Sequence, residues 1–352
     1  MGGKPFTERD RLAVLQFVDV HKHKDGTPNH IRIAKETGLH RQTVKRILDM
    51  EQIREPETPV IEMPAFADPD EPIEDIIAKL ERNFHRAKAA QESRTWFEIK
   101  VKEDLPIGLA FVGDPHVDDN GCNWPALRKH GEICRKTPGL FALNSGDSAN
   151  YWGGRLIRKY ADQDTSAQTA RRLVEWLFLD SGFRWLVWLM GNHEFMSDAG
   201  PLIREMAKRF GTQNVPMLDW EARFILKFSN GEQFRINAAH NFQGHSMWNP
   251  VHGAVKTAMF GDRLDVIACA DKHNWAISQW ELAEQGTAPL MIRSRGYKHL
   301  DDYAKKLGKH EQEDGQSVVV IFDPNAKTRA GRTLAFADLE AGADYLGWLR
   351  GR

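Results

Sequence analysis

What most constrains this chain is where its apolar runs stop. Ile107-Gly108-Leu109-Ala110-Phe111-Val112 reads as a buried strand, and it ends on Gly113-Asp114-Pro115-His116. An Asp and a His two residues apart on such a turn can aim an oxygen and an imidazole nitrogen at one point. Four later runs end the same way: Leu143-Asn144-Ser145-Gly146-Asp147, Leu189-Met190-Gly191-Asn192-His193-Glu194, Ile236-Asn237-Ala238-Ala239-His240 and Val266-Ile267-Ala268-Cys269-Ala270-Asp271-Lys272-His273. Taken singly, each has an ordinary structural explanation. Asp147 suits a helix cap, His116 and His240 suit satisfied core positions, and Gly191-Asn192 is a common turn pair. Taken together, they repeat one pattern at five strand ends.

Between these ends the pattern alternates. Strands are expected at 96–101, 107–112, 140–145 and 184–190, with amphipathic helices at about 124–136, 165–179 and 200–210. A hairpin follows, 221–229 and 233–239, turning through Asn230-Gly231. A helix near 251–260 precedes further strands at 264–270, 275–282, 289–294 and 316–322. Parallel-type alternation early and hairpin-type pattern late predict two sheets packed as a sandwich.

Residues 1–52 read differently. Thr7-Glu8-Arg9-Asp10 is a helix start, and the short helical patterns Ile31–Thr37 and His40–Leu48 meet at Gly38-Leu39. The pair resembles a helix-turn-helix, with Ala34 allowing close approach and Gly38 making the turn. With Ile33, Leu39, Val44, Ile47 and Leu48 inward, the second helix exposes His40, Arg41, Gln42, Lys45 and Arg46, side chains suited to phosphates and base edges in DNA. A small helical docking domain with a basic face is the plainer reading. Residues 53–72 are acidic and proline-rich, as in an extended linker, and 73–95 form a charged connecting helix. Its Ile76, Ile77, Leu80 and Phe84 are expected to pack on the domain 96–352.

The chain's net charge is −1, so nucleic-acid binding would need a local basic patch. Three cysteines without Cys-x-x-Cys spacing suit a reducing, cytoplasmic setting. The N-terminus lacks a signal-peptide core, and no uncharged run reaches membrane-spanning length.

Oxygen and imidazole ligands without thiolate suit Mn, Fe, Zn or Mg. Seven ligands suffice for two adjacent divalent ions if one carboxylate bridges them. Such a pair can clamp a phosphoryl oxygen and acidify a bound water.

The ordered set, spread over roughly 107–323, resembles the calcineurin-like metallophosphoesterase family, whose motifs run Asp-x-His, Gly-Asp-x-x-Asp/Asn, Gly-Asn-His-Asp/Glu, His and Gly-His-x-His. The resemblance implies an α/β four-layer sandwich flanked by helices, with the small all-α helix-turn-helix domain beside it. It implies that Asp114, His116, Asp147 and His273 hold one ion, with Mn the first expectation. Asp147 as bridge, Asn192 and His240 would hold the other. His193 would protonate the leaving oxygen. Gly113-Asp114-Pro115-His116-Val117-Asp118-Asp119, with Gly244–Pro250 and His252-Gly253, is similar to phosphoesterases of phages and prophages.

Two departures from the family pattern stand out. Asp271 replaces a histidine, which would make the second site harder and favour Mn or Mg. Asn150 stands where phosphomonoesterases carry an Asp that orients the catalytic histidine, which leans the substrate toward a diester. Asn150, Arg155 and His245 are candidate substrate contacts. Arg155 equally suits a surface role, and a loop packed by Trp248 equally explains His245 and His252. Lys272 is expected to face solvent. The expectation is a nucleic-acid phosphodiesterase or nuclease targeted to DNA. A phosphomonoesterase or nucleotide phosphatase is the alternative, and a DNA-binding factor with a vestigial phosphoesterase fold is the reading from outside the enzymes.

Overall fold

A computed structural model describes residues 5–52, 70–195, 197, 199–209, 214–299 and 317–351. The expected linker at 53–72 lies outside them apart from its last residues, Asp70, Glu71 and Pro72. The chain divides into two compact units, residues 1–78 and 79–352.

In the first unit, helix α1 (Glu8–Val18) opens on a capping box. Thr7 Oγ1 accepts from the Asp10 N–H at 3.3 Å, and the Thr7 N–H donates to Asp10 Oδ2 at 2.8 Å. Asn29 caps α2 (His30–Thr37) by accepting from the Arg32 N–H. Gly38 ends α2 at φ +69°, a left-handed conformation that glycine adopts without a Cβ penalty. That turn aims the chain into α3 (Arg41–Gln52). Val14, Ile33, Val44, Ile47 and Leu48 close a small core, and His40, Arg41, Gln42, Lys45 and Arg46 are exposed. The Arg46 guanidinium lies 5.6 Å over the Phe6 ring.

Helix α4 (Ile73–Arg94) follows, and here one expectation is corrected. Leu80 and Phe84 are 60% and 63% exposed, so this face does not pack as expected. Its 22 residues form a helix without that burial, held by internal hydrogen bonds and a contact between Lys88 and Glu92 one turn apart.

The second unit contains two mixed six-stranded sheets, and it is of the α/β class. Strands β1 (Phe97–Lys100), β2 (Ile107–Val112), β3 (Leu140–Asn144), β4 (Trp185–Leu189), β5 (Met217–Leu218), β6 (Glu221–Lys227), β7 (Gln233–Ala239), β8 (Val266–Cys269), β9 (Ala276–Gln279), β10 (Leu290–Arg293), β11 (Val318–Phe322) and β12 (Thr333–Phe336) form them. One sheet runs β12-β11-β2-β3-β4-β5 and the other β1-β6-β7-β8-β10-β9. β2 through β5 are parallel neighbours. β6 and β7 form the expected antiparallel hairpin, whereas β8 is parallel to both β7 and β10.

The uninterrupted apolar run of β2 is buried on both faces, as a central strand of a covered sheet must be. Ile107, Leu109 and Phe111 point at the other sheet and meet Phe224, Phe234 and Ile236. Ala110 and Val112 point the opposite way, into a core shared with α5 (Trp124–Lys136), α6 (Ala167–Leu179) and the C-terminal helix Leu339–Arg350. On the far side, Ile267 and Met291 pack under α7 (His252–Phe260). Fully burying each such Phe or Leu contributes about 1.5–3 kcal/mol.

Sequence periodicity did not anticipate the short strands β5 and β12, the 3₁₀ segment Gly154–Asp162 or the C-terminal helix. Parallel pairing places the carboxyl ends of β2, β3 and β4 on one edge, and β7 and β8 do the same in their sheet. Crevices at strand carboxyl ends are where sheets of this class place ligands.

Candidate metal centre

Asp114, His116, Asp147, Asn192, His193, His240, Asp271 and His273 meet beyond these strand ends. Asp114 is fully buried; its Oδ2 accepts from the Asp271 N–H at 2.9 Å and lies 4.0 Å from His273 Nε2. Asp114 Oδ1 is 3.6 Å from His240 Nδ1. Asp147 Oδ1 accepts from the His193 N–H at 2.9 Å, while its Oδ2 is 3.4 Å from His240 Nε2 and 3.9 Å from His193 Nε2. The His116 ring sits edge-on to His193 at 4.9 Å and tilted against His273 at 5.3 Å between centroids.

The backbone is committed to this arrangement. Asp114, His116, Asp147, Asp271 and His273 all have positive φ, between +37° and +67°. Asp and His tolerate that region better than most residues. Even so, each costs about 1 kcal/mol or more, and such outliers gather at functional sites.

Glycines set how closely the loops approach. A Cβ on Gly191 would lie 2.2 Å from Asp147 Oδ1, and one on Gly146 would lie 2.6 Å from the Gly191 nitrogen. Glu194 ties the same two loops together: its buried carboxylate accepts from the N–H groups of Asp147, Ser148 and Gly191 at 3.0, 2.7 and 2.8 Å.

Electrostatics favour a cation here. Burial drives the Asp114 carboxyl well above the usual carboxylate range and the His116 imidazole well below its usual one. Burial opposes ionisation at Asp147 too, yet the contact with His240 prevails and lowers this carboxyl. Burial also opposes protonation of His240, but Asp147 overrides it and raises His240 to about 10. His240 Nδ1 is 2.8 Å from the Ser145 carbonyl oxygen and donates to it, which leaves Nε2 among oxygens. Asn192 Oδ1 lies 2.9 Å away, Asp147 Oδ2 3.4 Å and Asp271 Oδ1 3.8 Å. A neutral imidazole would aim a lone pair at three oxygens, so the position calls for a proton or a metal ion.

These buried His and Asp clusters could hold a metal ion. Ligand atoms of His116, Asp147 and His193 lie within 4.8 Å of one another, as do those of Asp114, Asp147 and His240. Asp147 belongs to both groups. The fit is further supported by Asp114 Oδ1 and His116 Nδ1, buried polar atoms without a hydrogen-bond partner.

Asp271 turns inward. Asn241 Nδ2 donates to its Oδ2 at 2.7 Å and Lys272 Nζ is 2.8 Å from the same oxygen, so Oδ1 faces His240. Lys272 is exposed, as expected, and its amine also pairs with Asp271.

Asn150 sits differently from a substrate contact. Its side chain is fully buried and donates to Asp119 Oδ2 and Gln163 Oε1. Its backbone carbonyl accepts from His193 Nδ1. A neutral backbone oxygen thus orients His193. His245 is exposed on its loop, and Trp248, expected to pack that loop, is 91% exposed. The Arg155 side chain lies outside the described residues.

Sequence reading missed the groups that hold the ligands: Glu194, Asp118, Asp119, Gln163, Asn241 and Arg293. Asp118 Oδ1 accepts from the Asn150 N–H at 2.7 Å and its Oδ2 from Gln163 at 3.0 Å. Buried Arg293 donates to the Pro250 and Ala270 carbonyls and to Asn241 Oδ1. The acidic pair Asp118-Asp119, one residue beyond His116, and Glu194 at the end of Gly191-Asn192-His193-Glu194 were the available signals.

No family model matches this sequence, and no curated protein matches it. Among solved structures, the chain is similar to GAP50, the anchor in the inner membrane complex of Plasmodium, at 7% identity and a TM-score of 0.34. That match covers 70% of this chain and 95% of the other, and a likeness this low carries no argument. Among the described residues no helix is long and apolar enough to cross a membrane.

Proposed function

We propose that this chain is a dinuclear-metal phosphoesterase of the calcineurin-like type that hydrolyses a phosphodiester, nucleic acid first of all. The observation that carries the reading is that Asp147 lies among two groups of candidate ligand atoms, with His116 and His193 in one and with Asp114 and His240 in the other, the position a bridging carboxylate requires; the division of ligands between two ions follows the family resemblance. Asp114, His116, Asp147 and His273 would hold one ion. Asp147, Asn192, His240 and Asp271 would hold the other. The mixed oxygen and imidazole donors suit Mn foremost, then Fe, Zn or Mg. Bound there, the ions would supply Lewis-acid polarisation of a phosphoryl oxygen and an acidified water.

His193 is the proton donor in this reading. Its Nδ1–H is held by the Asn150 carbonyl, which leaves Nε2 as the nitrogen that gives a proton to the departing oxygen. The edge of Trp152, 5.4 Å from the His193 ring, limits how the imidazole can turn. Asp118 and Gln163 fix the loop that carries Asn150, so the orientation is set from behind the site. Exposed Arg41, Gln42, Lys45 and Arg46 on α3 support a role for the first unit in binding duplex DNA.

The test is hydrolysis by the purified, Mn-loaded protein of bis-p-nitrophenyl phosphate, p-nitrophenyl phosphate and DNA, with metal content measured alongside. Diesters should be preferred. Asp147→Asn should lose both ions and Asp271→Asn one. Cleavage of the monoester alone would replace this reading with a phosphomonoesterase, and failure to retain ions would leave the vestigial fold.

A further inference from the structure

Two aromatic side chains stand at the rim of the centre on the His240 side. The Trp220 ring meets the His240 imidazole edge to face at 5.1 Å, and Phe195 lies 6.2 Å from Trp220 at 45°. Phe195 ends the short turn Asn192–Phe195, which also carries His193. Packing does not consume either ring, since Phe195 is 54% exposed and Trp220 38%. The Trp220 indole N–H donates to the Asn241 carbonyl at 2.9 Å, which fixes the ring plane. The aromatic on the opposite side contrasts with this pair. Lysine amines of Lys159 and Lys298 lie 4.9 and 5.6 Å from the Trp152 ring centroid, and its indole N–H donates to Gln163.

Exposed aromatic surface beside a candidate phosphate-hydrolysing centre needs a reason, because leaving it in water forgoes the stabilisation of burial. We infer that Phe195 and Trp220 form a stacking platform for a nucleobase adjoining the scissile phosphate, so that the substrate is an unpaired nucleotide strand rather than an intact duplex. The inference rests on the phosphodiesterase reading above and adds the substrate class. A duplex base has both faces covered by its neighbours and its edge paired, so only an unstacked base can offer its face to these rings. Stacking of this kind tolerates any base, which predicts weak sequence preference at the cleaved position.

The experiment compares Mn-loaded full-length protein on three fluorescently labelled DNAs: a single-stranded oligonucleotide, the same strand with abasic sites around the cleaved position, and the fully paired duplex. The parent should cleave the base-bearing strand best. Trp220→Ala and Phe195→Ala should each raise KM on that strand by about 5- to 160-fold, the range for single base–aromatic stacks. Both variants should match the parent on the abasic strand, and Trp220→Phe should restore most of the affinity. A merely supporting role for Trp220 behind His240 would lower kcat on base-bearing and abasic strands alike, and that result overturns the inference while leaving the phosphodiesterase intact. Equal cleavage of duplex and single strand also overturns it. Failure of the parent to cleave any strand removes the phosphodiesterase reading, and this inference with it.

Discussion

Replacing Gly191 with alanine puts one methyl group into the tightest contact of the centre. The added Cβ would lie 2.2 Å from Asp147 Oδ1 and 2.7 Å from both the Asp147 nitrogen and His240 Cε1. None of the three is the loose end of a flexible chain. Asp147 Oδ1 is held by the His193 N–H, and His240 is buried and tied to the Ser145 carbonyl. Overpacking a rigid interior costs about 1–3 kcal/mol. Moving Asp147 also breaks a hydrogen bond to a charged group, about 1.5–3 kcal/mol more. A loss of about 3–5 kcal/mol follows, which lowers Tm by about 10 °C in a unit of this size. Because Asp147 belongs to both ligand groups, affinity should fall at both ion positions together. Gly347→Ala is the control. Nothing lies within 4 Å of its added Cβ, on an exposed turn of the C-terminal helix, so it should stabilise by about 0.5–1 kcal/mol. Denaturant titration and metal analysis of both variants test the argument. A Gly191→Ala protein within 1 kcal/mol of the parent and carrying its full metal content would refute the geometry.

Metal uptake should depend on pH through His240, which is protonated below about 10 in the metal-free protein because Asp147 outweighs burial. An ion at Nε2 must displace that proton, so affinity rises with pH through the neutral range. Calorimetry in buffers of different ionisation enthalpy should read proton release on metal binding, from His240 and from the raised Asp114 carboxyl; release of none would exclude His240 as a ligand. His193→Gln should lower kcat by about 10²- to 10⁴-fold with metal content unchanged, and a comparable loss of metal would make His193 a ligand instead. Arg41→Ala and Lys45→Ala in the full chain should each flatten the salt dependence of duplex binding by about one unit of slope. Anisotropy titrations at several salt concentrations measure this, and unchanged slopes would assign α3 a protein-docking role.

Much of the centre was legible because its Asp, Asn and His side chains follow strand ends. A strand such as Ile107–Val112 is recognisable from six consecutive apolar residues, and parallel neighbours align their ends, so Asp114, His116, Asp147 and Asn192 could be assigned one edge before any coordinates. The helix Trp124–Lys136 was equally readable, since Asn123, Pro125 and the basic last turn mark its limits locally. The connecting helix shows where such reading fails: its apolar stripe specified a helix, but nothing local specifies what a stripe packs against, and Leu80 and Phe84 stay exposed.

What the sequence determined by itself was therefore periodic and local: element types, the turns that end them, and which ligand-type residues occupy those turns. Tertiary structure alone decided the contacts between residues far apart in the chain. Glu194 reaches back to the Asp147 and Ser148 amides, Asn241 and Lys272 turn Asp271 toward His240, and Asn150 serves through its carbonyl while its amide is bound to Asp119 and Gln163. Spacing along a chain cannot encode these, because a hydrogen bond across 30 or 47 residues depends on which strands lie side by side in each sheet.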